Sequence, residues 1–114
     1  HFLMANIYRK INTDLITATV NTAYTVPDNS RTLIKSIHIY NGGAGPADVT
    51  VSIGNFADGT DYIYDNSATL AAAAKEEFIQ NVLVLEENDT LKFLTDLTGP
   101  DVTVSLLEMN RVDK

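Results

Sequence analysis

Asn21–Asn41 reads NTAYTVPDNSRTLIKSIHIYN, and the fold is decided in this stretch. A short alternating run ends at Val26, the polar group Pro27-Asp28-Asn29-Ser30 follows, and a second run rich in β-branched residues starts at Thr32. Pro27 has a fixed φ and no backbone N–H, so a strand stops there. Asp28, Asn29 and Ser30 bond to nearby backbone and tolerate tight turns. Thr32, Ile34, Ile37, Ile39 and Tyr40 favour a pleated, half-buried surface. The unit is strand, sharp corner, strand.

The unit recurs. Leu70-Ala71-Ala72-Ala73-Ala74 and Leu85-Glu86-Glu87-Asn88-Asp89 align with Val26-Pro27-Asp28-Asn29-Ser30: each has an apolar residue, about four corner residues, then a resumed strand. The alanine run has high helix propensity, but it is too short to stand as a helix alone. It reads as a corner holding at most a turn or two of helix.

Outside the corners, period-two alternation marks strands. Ile7–Val20 alternates weakly, with a turn expected at Asn12-Thr13-Asp14. From there Ala18, Val20, Tyr24 and Val26 are expected on one face. Asn41-Gly42-Gly43-Ala44-Gly45-Pro46 is the strongest break in the chain and reads as a flexible loop tip. Val49, Val51 and Ile53 alternate against Asp48, Thr50 and Ser52. Turns are expected at Gly54-Asn55 and again at 57–60, before a short strand at Tyr62-Ile63-Tyr64. Val82–Leu85, Thr90–Thr95 and a closing strand from Val102 towards Met109 complete the set. About eight short strands at this spacing predict an all-β, single-domain antiparallel β-sandwich, a jelly roll or related Greek key.

The 114 residues are enough for one domain with a core of its own. His1-Phe2-Leu3 ahead of Met4 and Val112-Asp113-Lys114 after Arg111 read as vector-encoded, leaving 4–111 as the sandwich. Met4-Ala5-Asn6 leads into polar residues with no apolar signal core, which predicts synthesis in the cytoplasm. The chain has no cysteine, so neither a disulfide framework nor a thiolate metal site forms from these residues. No apolar run approaches the roughly 20 residues of a membrane span. A net charge of −7 repels phosphate backbones, so neither nucleic acid nor membrane is an expected partner.

No catalytic set emerges. Ser36 and His38 share a strand face, but the run offers no acid to orient the histidine. Asp58, Asp61 and Asp65 offer oxygen ligands, but their spacing is wrong for a calcium loop, and a solvated hairpin is expected. Glu86, Glu87 and Asp89 read as an acidic corner in solvent. Gly42-Gly43-Ala44-Gly45 lacks the lysine and the following helix of a phosphate loop. No cofactor and no metal are expected. The residues singled out for contact with a neighbour are Tyr40, Tyr62 and Tyr64, each an apolar body with a polar tip.

Tyr24-Thr25-Val26-Pro27 with Thr32–Asn41, Asp48–Gly54, Leu83–Lys92 and Asp101–Ser105 together resemble small β-sandwich virion structural proteins of tailed bacteriophages. The resemblance spans roughly Tyr8 to Met109. It departs at Glu86-Glu87-Asn88-Asp89, where such proteins usually carry a glycine, and at the alanine run. It implies a non-enzymatic virion structural protein that oligomerises, a trimer favoured, and docks on the capsid, neck, tail or fibre in the manner of a decoration protein. On the same sandwich, the alternative is a carbohydrate- or receptor-binding module of a tail fibre. Exposed aromatics separate the two, since a glycan site needs a platform of several rings.

Overall fold

The computed structural model describes residues 2–17 and 19–113; His1, Ala18 and Lys114, all read above, lie outside them. Nine strands are present among the described residues: β1 (Phe2–Asp14), β2 (Asn21–Thr25), β3 (Ser30–Asn41), β4 (Ala47–Asn55), β5 (Thr60–Leu70), β6 (Lys75–Glu77), β7 (Leu83–Leu85), β8 (Thr90–Thr95) and β9 (Pro100–Asp113). One sheet runs β1-β9-β3, and β6 and β7 then pair with successive parts of β3; the other runs β2-β8-β4-β5. All pairings are antiparallel. With β6 and β7 counted as one interrupted rank, consecutive ranks alternate between the sheets everywhere except at the β4–β5 hairpin, as in a jelly roll.

The inner faces close on Val26, Ile34, Ile37, Ile39, Val49, Val51, Leu91, Phe93, Val102 and Val104, all at most 1% exposed. Fully burying an aliphatic or aromatic side chain of this kind contributes about 1.5–3 kcal/mol before conformational entropy is subtracted.

The corner alignment is borne out residue by residue. The described non-glycine residues with positive φ are Asn29 (58°), Ala73 (62°) and Asn88 (67°), the fourth position of each corner. The apolar first positions Val26, Leu70 and Leu85 are buried. Two corners close the same turn, from Ala74 N–H to Ala71 O (3.0 Å) and from Asp89 N–H to Glu86 O (3.0 Å). No helix forms at Leu70–Asn81; residues 72–73 are a turn and β6 begins at Lys75. Asparagine tolerates the left-handed region, whereas alanine there is strained by about 1–2 kcal/mol. Ala73→Gly is therefore expected to stabilise the protein by about 1 kcal/mol, raising the melting temperature by roughly 4–8 °C. The same change at Asn29 or Asn88 should give less than half of that.

Four expectations need correction. The turn expected at Asn12-Thr13-Asp14 lies further on, because these residues pair in register with Thr103, Val102 and Asp101. β1 then leads to Leu15, which is buried and donates its N–H to Pro100 O (3.1 Å). Gly54-Asn55 is the end of β4 rather than a turn, so one turn at 56–59 replaces two. Tyr62-Ile63-Tyr64 belongs to the 11-residue strand β5, whose later part pairs with Val49, Thr50 and Val51. Val20, expected to share a face with Tyr24 and Val26, is exposed ahead of β2.

Candidate functional site

β3 carries a bulge between Ile34 and Ser36, at the gap where β7 has ended and β6 has not begun. Glu77 of β6 fills that gap. One carboxylate oxygen accepts from Ser36 Oγ; the other accepts from Ile37 N (2.8 Å) and Ile79 N (3.0 Å). Burial pushes the Glu77 carboxyl up, but these hydrogen bonds and the His38 charge outweigh it, and the net shift is downward. The acid missing from the β3 run is thus supplied by β6, and it stands opposite His38 in register. The serine nonetheless donates to the carboxylate rather than to the imidazole, and both oxygens are occupied. A relay needs the histidine between serine and acid. The cluster seals a bulge.

The aspartates of the β4–β5 hairpin go separate ways. Asp58 accepts from Thr60 N (2.9 Å) and from Tyr62 Oη (2.6 Å), and the Tyr62 hydroxyl holds its carboxyl below the usual range. Asp61 pairs with Lys92 at 3.0 Å across Gly54, where a Cβ would collide with Thr90 Oγ1. Asp65 accepts from Asn66 N (2.7 Å). Opposite Asp14 in register, Asp101 shares a hydrogen bond with it that lifts the Asp101 carboxyl, helped by slight burial and the neighbouring charge.

Two regions read as solvent-facing are pinned. Asp89 is buried and clasps Phe56 N (3.0 Å) and Glu86 N (2.8 Å), tying the third corner to the β4–β5 turn. The glycine loop is fixed by Asn41, which is 0% exposed. Its Oδ1 accepts from Gly43 N (2.9 Å), and its Nδ2 donates to Gly45 O (2.9 Å) and Leu70 O (2.9 Å). Gly43 and Gly99 meet backbone to backbone; a Cβ on Gly99, at φ 134°, would lie 2.5 Å from Gly43 Cα.

Sequence reasoning missed a buried polar chain at the other end. Thr32 Oγ1, Tyr24 Oη and Glu108 Oε2 connect at 2.8 and 2.5 Å, and Arg9 Nη1 closes on Glu108 at 3.1 Å. Burial pushes Glu108 up, but hydrogen bonds from Tyr24, Arg9 and Asn110 bring the net shift down; Tyr24 is pushed well above the tyrosine range, mainly by burial. Parity gives the signal that was available: Glu108 continues the inward-facing positions Val102, Val104 and Leu106.

The outward surface holds apolar residues. Tyr8 stands opposite Leu107, Leu107 opposite Leu33, and Leu33 opposite Val84, a row crossing β1, β9, β3 and β7 on the face away from the core. Tyr8 is 76% exposed and Val84 49%. Tyr40 and Tyr62 present their rings to solvent, whereas Tyr64 is half-buried against the core. Among the described residues, no His, Asp and Glu side chains gather in a group of three that would hold a metal, and no helix is long and apolar enough to cross a membrane.

No protein-family model matches this chain, and no curated protein matches it by sequence. Solved structures do. A chain of the acid-stable capsid of Helicobacter pylori bacteriophage KHP30 is similar at a TM-score of 0.59 and 9% identity, over 100% of both chains. A chain from the disulfide-linked pili of Bacillus endospore appendages is similar at 0.59 and 11% identity, over 99% of this chain and 92% of that one. The T13 particle of infectious bursal disease virus (IBDV) gives 0.58 at 11% identity; this chain spans 31% of that one. Together they define the class by fold: a jelly roll of the kind found in viral capsid and pilus proteins. The 114 residues hold no cysteine with which to make a disulfide link.

Proposed function

We propose that this chain is a non-enzymatic structural component of a bacteriophage particle, working by self-association and docking on the capsid or tail as a decoration protein does. The observation that carries the reading is that the whole chain, end to end, matches a whole chain of a bacteriophage capsid in fold. The polar clusters support it, because their hydrogen bonds are spent on holding corners, bulges and loops. The Tyr8–Leu107–Leu33–Val84 row and the exposed rings of Tyr40 and Tyr62 supply surface for neighbours, while Tyr64 packs against the core. A closed ring, a trimer by preference, satisfies such surfaces without leaving open ends. Purified protein added back to particles stripped of it is expected to rebind saturably, and Tyr8→Glu is expected to weaken rebinding without lowering the melting temperature. Particles that retain none of the added protein would overturn the reading.

A further inference from the structure

Among the described residues, each sheet ends in one long strand with a single partner: β1 pairs only with β9, and β5 only with β4. Thirteen and eleven residues long, these edges carry a row of backbone groups open to another strand. They lie on opposite sides of the sandwich. β1 runs beside β2 on one side, while Ser67 Oγ of β5 donates to Glu76 of β6 on the other (2.9 Å).

Their charges are opposite. Before its last residue β1 carries only cations, the adjacent Arg9 and Lys10, whereas β5 carries only anions, Asp61 and Asp65; Arg9 and Asp61 are already paired within the chain, with Glu108 and Lys92, so Lys10 and Asp65 carry the difference. Like charges opposite one another destabilise a strand pair and unlike charges favour it. Pairing β1 with β1, or β5 with β5, across a two-fold axis sets like charges together. Pairing β1 with β5 sets unlike charges together.

We propose that copies of this chain join head to tail, the β1 edge of one against the β5 edge of the next, and not as two-fold dimers. The inference rests on the reading that the protein self-associates, and it specifies how. A head-to-tail contact closes into a ring when the rotation per copy allows it.

Sedimentation of charge-reversed variants tests it. Lys10→Glu alone and Asp65→Lys alone are each expected to weaken self-association about tenfold or more. An equimolar mixture of the two is expected to recover it in part, since alternating copies set unlike charges together at every contact of an even ring and at two of the three contacts of a trimer. Asp65→Asn keeps the side-chain shape and is expected to give a smaller loss in the same direction, with far-UV spectra confirming that each variant is folded. An oligomeric parent whose size ignores both reversals, a loss in only one variant, or a mixture that stays dissociated would overturn the edge assignment while leaving self-association standing. A parent that sediments as a monomer across micromolar concentrations would remove self-association itself.

Discussion

Asn41→Ala is expected to destabilise the protein by about 3 kcal/mol or more, lowering the melting temperature by roughly 15 °C. The Asn41 side chain bridges the loop 42–46 and Leu70, which ends β5 and opens the second corner, and it is sealed from water. Its backbone also pairs with that corner, accepting from Ala73 N (2.8 Å) and donating to Ala74 O (2.8 Å). Alanine leaves those backbone bonds in place but strands Gly43 N–H and two carbonyls at a position sealed from bulk water. Asn41→Asp is expected to be nearly as damaging, because a carboxylate cannot donate to Gly45 O and Leu70 O. A thermal melt that shifts by less than about 3 °C for Asn41→Ala would show that the loop is held by other means.

The second large effect is at Glu108. Glu108→Ala is expected to cost about 3 kcal/mol, since it leaves the Tyr24 hydroxyl without its acceptor and Arg9 without its counter-charge. Glu108→Gln retains an acceptor for Tyr24, and Arg9 is half exposed, so its cost should be about 1 kcal/mol. The network also sets an acid limit. The folded-state pKa values of Glu108 and Glu77 are both depressed, so their stabilisation is complete above the ordinary glutamate value of about 4.3 and is lost as pH falls through the lower folded values. Chemical denaturation across pH 2–7 is expected to show stability falling below about pH 4, with a shallower fall in Glu108→Gln. A parallel fall in the two proteins would place the acid sensitivity elsewhere.

The corners were legible because turn chemistry is local. Pro27, Asn29 and Asn88 announce their geometry from neighbouring residues alone, and the alanine run was read correctly only by aligning it with them. Ala73 has no chemistry of its own that favours a left-handed turn; the sheets on either side impose it. The long strands were legible in type but not in extent. Thr13 and Asp14 look like turn residues in isolation, and only their register with Val102 and Asp101 keeps them in β1. The β3 bulge was also written in the sequence, as buried positions that step from Ile34 to Ile37 and so change parity.

The polar interior was harder to read. Asn41 and Glu108 sit at inward positions of otherwise apolar strands, and this parity is the signal that marks them. What it does not give is their partners, which arrive from distant strands: Gly45 and Leu70 for one, Tyr24 and Arg9 for the other. For the same reason Asp89 looks like a solvated corner acid until the β4–β5 turn is folded against it. The outward row of Tyr8, Leu107, Leu33 and Val84 exists only through the register of four strands.

The central claim is that this chain is built into a particle. Quantitative mass spectrometry of purified virions, scaled to the major capsid protein, tests it directly. A fixed ratio from one preparation to the next is the predicted result, with hundreds of copies meaning decoration of the capsid and a dozen or fewer meaning the neck or tail. Particles that are infectious and complete yet free of the chain, with the protein confined to the soluble fraction of the lysate, would contradict it.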